Sequence, residues 1–256
     1  MTQSVSAVAN VYNDALALAG WLENVSSWAD EVVIVHAGPN GKLSTDGTME
    51  LLERWGIKPV ISRIDDGFGV VRTQCIRECK TDWVVILDAD ERIYPLVPIL
   101  TCEGTEGYPD VLKPNLAVHR HEPDMFNQMS LLKTLMGHDC MTVRASRRHW
   151  FDYSWKRPCQ NWCLIPDWQL RIVKNSPRIS FAADTKMHER CTDSETGECP
   201  RYATERPGDP RGIYIDHFHC FWKAQEPEQR REDLDIYEAL HKGSTADMWS
   251  RRGYDR

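Results

Sequence analysis

Two carboxylates separated by a single residue close a strongly apolar run, Trp83 to Leu87, in the order Asp88-Ala89-Asp90-Glu91. Oxygen ligands spaced in this way can hold a hard divalent cation, Mn²⁺ or Mg²⁺, while leaving coordination positions for phosphate oxygens. A cation held there would neutralise a diphosphate and make it a better leaving group. The same acids could instead do no more than cap the turn that follows, where Asp is favoured in any case. Further along, Asp167 follows Pro166 at the head of a strand-like run, DWQLRIVK, in which Gln169 and Arg171 are expected on one face and Trp168 and Leu170 on the other. The segment IYIDHFHCFW puts His217 and His219 on one face of a strand, and imidazole is an acceptable partner to carboxylates on Mn²⁺.

The elements that must position these groups alternate over the first hundred residues. Ser4–Val11 reads as a strand, with Asn13 or Asp14 capping a helix whose Leu16, Ala19, Leu22 and Val25 recur at helical spacing. Glu31–His36 is a short β-branched run suited to a buried parallel strand. After the loop AGPNGKLS, Thr45 and Asp46 stand where a cap is expected, and MELLERWG reads as a helix stopped by Gly56. Lys58–Ser62 is a third strand, Gly69–Cys79 a third helix and Trp83–Leu87 the clearest strand. Strands alternating with helices predict an α/β layer with a mostly parallel sheet, and ligands gather outside the carboxyl ends of such strands. Asp88 and Asp90 stand at such an end.

Beyond residue 100 the pattern weakens. Asp167–Lys174 and Ile213–Phe218 read as strands, Pro227–His241 as a capped helix, and 244–256 as a mobile polar tail. Residues 1–100, 101–243 and this tail are expected to form one compact unit in two halves, the second irregular.

The chain has 256 residues, 41% hydrophobic and 27% charged, with net charge −7. Such a composition excludes a disordered or collagen-like chain. Neither a leader peptide nor a membrane-spanning run is visible, so a cytoplasmic protein with no transmembrane segment is expected. Nine cysteines scattered along the chain do not suggest a secreted disulfide framework. Cys159, Cys163, His188, Cys191, Cys199 and the His217/His219/Cys220 group leave a structural zinc site open, although their spacing is unlike the tight pairs of common zinc modules. Residues 141–180 hold Arg144, Arg147, Arg148, Lys156, Arg157, Arg171, Lys174 and Arg178 against only Asp152 and Asp167. That local surplus suggests a patch that meets an anion, and with the surrounding tryptophans keeps a nucleic-acid partner open.

Taken together, the segments VSAVANVYNDALALAGWLENVSSWADEVVIVHAG, STDGT and DGFGVVRTQCIRECKTDWVVILDADERI resemble the N-terminal half of family-2 glycosyltransferases of the GT-A fold. The resemblance covers roughly the first 95 residues, with its parts in order, which is far more specific than any one motif. It implies a nucleotide-sugar donor, usually a UDP-sugar, bound across the first strand ends of a Rossmann-like sandwich. Asn10, Tyr12 and Asp14 would line the base and ribose, with His36, Asp65 and Arg72 in the same donor pocket. Asp88 would meet ribose or metal, Asp90 would ligate the ion directly, and His217 would complete the metal shell. Asp167 would be the general base of an inverting transfer, with Glu189 and Glu91 as competitors. The expected acceptor is a glycan or lipid-linked sugar, or a hydroxymethylated base in DNA. A binding protein that keeps the fold without catalysis is the alternative class. One departure is specific: family members usually carry Asp at the end of the second strand, where this chain has His36, followed by the insertion-like AGPNGKL.

Overall fold

The computed structural model describes residues 3–98, 125–150, 167–182, 190–203 and 213–218, with the backbone alone at Pro98, Met125, His149, Trp150, Asp167, Trp168 and Ala203. The expected helix at 227–241 and tail at 244–256 lie outside these residues. Four strands of the first segment, β1 (Val5–Val11), β2 (Glu31–Gly38), β3 (Val60–Arg63) and β4 (Trp83–Ile86), are joined by α1 (Ala15–Val25), α2 (Thr48–Arg54) and α3 (Phe68–Glu78). They pair in parallel in the order β3-β2-β1-β4. The chain therefore leaves β1 in one direction and returns to β4 on the other side. Their carboxyl ends flank the topological switch point, where open α/β sheets place ligands.

Five described strands of the later part of the chain extend the same sheet, while two separate antiparallel pairs lie outside it. After β5 (Glu91–Arg92), the pair β6 (Leu96–Pro98) and β7 (Met125–Asn127), and α4 (Gln128–Met136), the strands β8 (Thr142–Trp150), β9 (Asp167–Lys174) and β13 (Tyr214–Phe218) continue the order as β4-β9-β8-β13-β5. Between β9 and β13 lie β10 (Ile179–Phe181), β11 (Cys191–Asp193) and β12 (Tyr202–Ala203). The result is the expected mixed, mostly parallel α/β sheet. Helices α1, α2 and α4 cover one face, through Leu18, Trp21, Leu22, Leu52 and Leu132. Helix α3 and the antiparallel β10–β11 pair cover the other, through Val71, Cys75, Ile76, Ile179 and Phe181. Period-2 burial along β1, with Val5, Ala7 and Ala9 on the first face and Val8 on the second, is what a strand covered on both sides requires.

Chain length dictates how the sheet closes over the switch point. Five residue steps separate Ile86 of β4 from Glu91 of β5, a reach of at most about 18 Å. Four flat strand spacings would need about 19 Å. The sheet therefore curls, bringing β13 and β5 back over the carboxyl end of β4. The Asp88–Glu91 turn is the tether that enforces this.

Candidate functional site

The turn after β4 is locked from both ends. The Glu91 amide donates to the Asp88 carbonyl at 2.9 Å, and the Asp88 amide donates to the Glu91 carboxylate, also at 2.9 Å. Arg92, among the largest fully buried side chains, donates to the carbonyls of Ala89 (2.6 Å), Glu91 (2.8 Å) and Ala17 (2.7 Å), tying the turn to α1. The Phe218 amide of β13 donates to the Asp90 carbonyl at 3.0 Å. Backbone carbonyls thus satisfy a buried guanidinium that would otherwise be costly. Arg92 was not singled out in the sequence. An Arg directly after the acidic turn and before the apolar Ile93 was the available signal.

The acids of this turn diverge. Asp88 accepts from Arg72 Nη2 at 2.9 Å and from Arg171 Nη1 and Nη2 at 3.3 and 2.9 Å, so α3 and β9 both converge on its carboxylate. Asp90 Oδ2 lies 3.0 Å from His217 Nε2, across the β13–β5 ladder. Burial alone would lower the His217 pKa, but Asp90, through its charge and hydrogen bond, together with Glu91, holds it above the ordinary value. Glu91 is fully buried, with Arg147 Nη1 at 3.2 Å and Arg171 Nη2 at 3.7 Å. Burial, with Asp88 and Asp90, pushes its carboxyl up to about 7 against the opposing pull of Arg147 and His217. Neither Asp88 nor Asp90 is merely a turn cap, since each meets side chains of distant elements.

Two of the three expected metal ligands come together. Asp90 Oδ2 and His217 Nε2 are hydrogen-bonded at 3.0 Å, so a carboxylate and an imidazole, both acceptable ligand types for Mn²⁺, stand side by side. Among the described residues no group of three His, Cys, Asp or Glu side chains could hold an ion by itself. The chemistry therefore fits a cation held by Asp90 and His217 with phosphate oxygens supplying further ligands, as is usual for Mg²⁺.

On the donor side, the turns after β1 and β2 are stitched together. The Asn13 amide donates to Ser44 Oγ and the Thr45 amide to Asn13 Oδ1, both at 2.9 Å, with Asn13 at φ +54°. Asp14 takes the N-cap position of α1, but its carboxylate accepts from the Tyr12 amide; the first α1 amide, Ala15 N, donates instead to Asp46 at 2.8 Å, which also accepts from Thr48 N of α2 at 3.0 Å. His36 is buried, and the Ser44 amide donates to its Nε2 at 3.1 Å, which assigns the neutral ring with the proton on Nδ1. Burial holds its pKa below the ordinary value, outweighing a backbone hydrogen bond and nearby Asp46. Its ring meets Tyr12 edge-on at 5.9 Å between centroids. Asn10 Oδ1 is buried without a hydrogen-bond partner among the described residues. The insertion-like Pro39–Gly41 forms a 3-10 turn, and a Cβ on Gly38 just before it would stand 1.9 Å from the Lys42 carbonyl oxygen and 2.9 Å from the Tyr12 ring. Asp65 accepts from the Asn40 amide of this turn and lies 3.8 Å from Arg63.

The structure redistributes the basic run. Arg147 meets Glu91, Arg148 pairs with Asp216, Arg171 with Asp88, and Arg178 with Asp193 and Glu195, while Arg144 covers the Tyr202 ring at 4.0 Å. Four of these five arginines thus neutralise the chain's own acids, and Arg144 covers a tyrosine ring. Lys156 and Arg157 lie outside the described residues. Strict alternation along β9 also fails. The register with β8 shifts between Val143 and Ala145, so an extra β9 residue is accommodated at Leu170–Arg171. Leu170 packs with Val173 against the α3 face while Ile172 faces the other side. A bulge of this kind re-aims side chains beside functional sites, and Gln169 and Arg171 therefore do not share a face.

Asp167 opens β9 with its backbone opposite Arg147. Glu189, His188, His219, Cys159, Cys163 and Cys220 lie outside the described residues. Of the cysteines weighed for zinc, Cys191 is buried, with its thiol pushed up to about 12 by burial and by Cys199, and Cys199 is exposed. No described helix is long and apolar enough to cross a membrane.

Comparison with known proteins bears on the same stretch. The sequence model described as Glycosyl transferase family 2 matches residues 6–101. Uncharacterized glycosyltransferases of Rickettsia bellii and Rickettsia conorii are each 32% identical over 95 residues, 36% of this chain and 30% and 31% of those proteins. The aligned stretch thus spans less than a third of these relatives. Among solved structures, Staphylococcus aureus TarS aligns over 95% of this chain and 44% of its own, at 13% identity and a TM-score of 0.49. Glucosyl-3-phosphoglycerate synthase from Mycobacterium tuberculosis, solved with Mn²⁺, UDP and glucosyl-3-phosphoglycerate, aligns over 35% of this chain and 34% of its own, at 22% identity and a TM-score of 0.29.

Proposed function

We propose, from the family match over residues 6–101 and the acids that lie within it, that this chain is an inverting, metal-dependent glycosyltransferase of the GT-A kind. It would move a sugar from a nucleoside-diphosphate sugar, a UDP-sugar in the first instance, to an acceptor hydroxyl. The observation that carries this reading is the convergence of Asp90 and His217 at the switch point, within and opposite the segment the family match covers. Asn10, whose buried acceptor oxygen meets no donor among the described residues, supports a base or ribose contact beside Tyr12 and Asp14. His36, where the family usually has Asp, is held inward by Ser44 and is assigned to shaping the donor turns.

In the transfer, the acceptor hydroxyl oxygen forms a bond to the anomeric carbon as the bond from that carbon to the diphosphate oxygen breaks. The hydroxyl proton passes to a carboxylate, which we assign to Asp167. Glu91, fully buried beneath Arg147, is out of reach of an acceptor. When bound, the divalent ion supplies positive charge for the departing diphosphate; Asp90 and His217 would hold it, and Arg72 would approach the nucleotide. A glycan or lipid-linked sugar is the preferred acceptor, because the arginines that kept DNA open are engaged with acids of this chain.

A panel of nucleotide sugars with Mn²⁺ or Mg²⁺, scored by nucleoside diphosphate release and ligand-dependent melting, tests the reading. Release from at least one donor is expected. Asp167→Asn should lower transfer by about 10²–10⁴-fold while donor affinity persists. No release and no stabilisation by any donor would leave the non-catalytic binding protein as the better reading, and near wild-type turnover in Asp167→Asn would remove that residue as base.

A further inference from the structure

The two acids of the turn differ in what surrounds them. Both oxygens of Asp88 accept from guanidinium groups, one bond from Arg72 and two from Arg171, and both arginines are themselves buried. A carboxylate has about four lone-pair sites, so most of its acceptor capacity is used, and two positive charges lie against its oxygens. Asp90 instead faces His217. Asp88 also links three elements: it lies two residues beyond β4, Arg72 belongs to α3, and Arg171 sits at the irregularity in β9, four residues along from Asp167. Arg171 reaches Asp88 because the register shift turns it towards the carboxyl end of β4.

We propose that Asp88 is not a metal ligand but a positioning residue, which through Arg171 fixes the strand that carries Asp167, leaving the divalent ion to Asp90 and His217. This rests on the functional reading above as regards the ion, while the Asp88–Arg171 anchor stands on the geometry alone. It divides the labour of a D-x-D pair: one acid holds protein to protein, the other holds protein to ligand.

The full-length chain is titrated with Mn²⁺ in the presence of UDP, following free Mn²⁺ by electron paramagnetic resonance, and amide hydrogen exchange is followed over residues 167–174. Asp88→Asn keeps Mn²⁺ affinity within about tenfold of wild type, whereas Asp90→Asn loses more than about a hundredfold. Exchange in β9 rises about ten- to a hundredfold in Asp88→Asn and in Arg171→Gln, the loss of charge-assisted hydrogen bonds that hold it, but not in Asp90→Asn. Asp88→Glu, which keeps the charge, restores much of the protection. Should Asp88→Asn not fold, Arg171→Gln carries the exchange test and Asp88→Glu the Mn²⁺ titration. Loss of Mn²⁺ in an Asp88 variant equal to that in Asp90→Asn overturns the proposal, as does unchanged β9 exchange when Arg171 is replaced. A wild-type chain that takes up neither Mn²⁺ nor UDP overturns the functional reading and the assignment of the ion, while the exchange comparison still decides the anchor.

Discussion

Arg148 and Asp216 offer the most direct test of how the second half of the sheet is held. They are register partners on β8 and β13, and the guanidinium gives two hydrogen bonds to the carboxylate, at 2.7 and 2.8 Å, with side-chain exposures of 6% and 0%. Arg148 also lies over the Tyr214 ring at 4.5 Å. Replacing Arg148 with Met keeps much of the apolar stem but leaves the Asp216 charge buried without its guanidinium, which costs about 3–5 kcal/mol. For a chain of this size each kcal/mol shifts Tm by about 2–4 °C, so Arg148→Met should melt roughly 6–20 °C lower. Asp216→Leu alone strands the guanidinium and should cost a similar amount. The double variant should be far better than the sum of the two, because replacing a buried pair with apolar groups is often close to neutral. Urea and thermal unfolding of the four proteins measure this cycle. Additive losses, or an Arg148→Met change below about 1 kcal/mol, would refute the reasoning. They would show that the pair is solvated in solution and that β13, with His217, is held by other means.

The remaining predictions concern packing and pH. Gly69→Ala places a methyl group 2.1 Å from the Ala182 carbonyl oxygen, forcing α3 away from the segment after β10; it should destabilise by about 1–3 kcal/mol or more in urea unfolding, and a neutral result would show that the two segments are not in contact. His36, whose folded pKa lies below the unfolded value, stays neutral in the native state while the unfolded chain takes up a proton. Its contribution is therefore fully present above about pH 6.5 and is lost as pH falls below it. A pH series of thermal melts should show this acid-side loss, and His36→Gln should flatten it; an identical slope in the variant would contradict the neutral assignment.

Much of the donor half was legible in the sequence because its signals are local. β-branched runs alternating with helical periodicity named four parallel strands, and the observed Glu31–Gly38, Phe68–Glu78 and Trp83–Ile86 differ from the expected spans only at their ends, where fraying and turn chemistry decide. The run DWQLRIVK was placed to the residue as β9. Asp88 and Asp90 could be singled out because a carboxylate pair closing a buried strand has a fixed address in an α/β sheet. The expected cap of α1 was wrong in its atoms: Asp14 turned to Tyr12 N and Asp46, thirty-two residues later, took its place.

What the tertiary structure alone decided were the partnerships between distant charges. The density of arginines over 141–180 was correctly seen, but whether they meet a ligand or the chain's own acids depends on β8, β9 and β13 meeting the turn after β4. The separate fates of Asp88 and Asp90 depend likewise on a register shift and on the curl of the sheet, neither of which leaves a local pattern. Local sequence sets backbone preference and which face is apolar. Which guanidinium reaches which carboxylate is settled only when strands far apart in the chain are packed side by side, since a Coulomb pair takes its strength from distance and burial and not from spacing in the sequence.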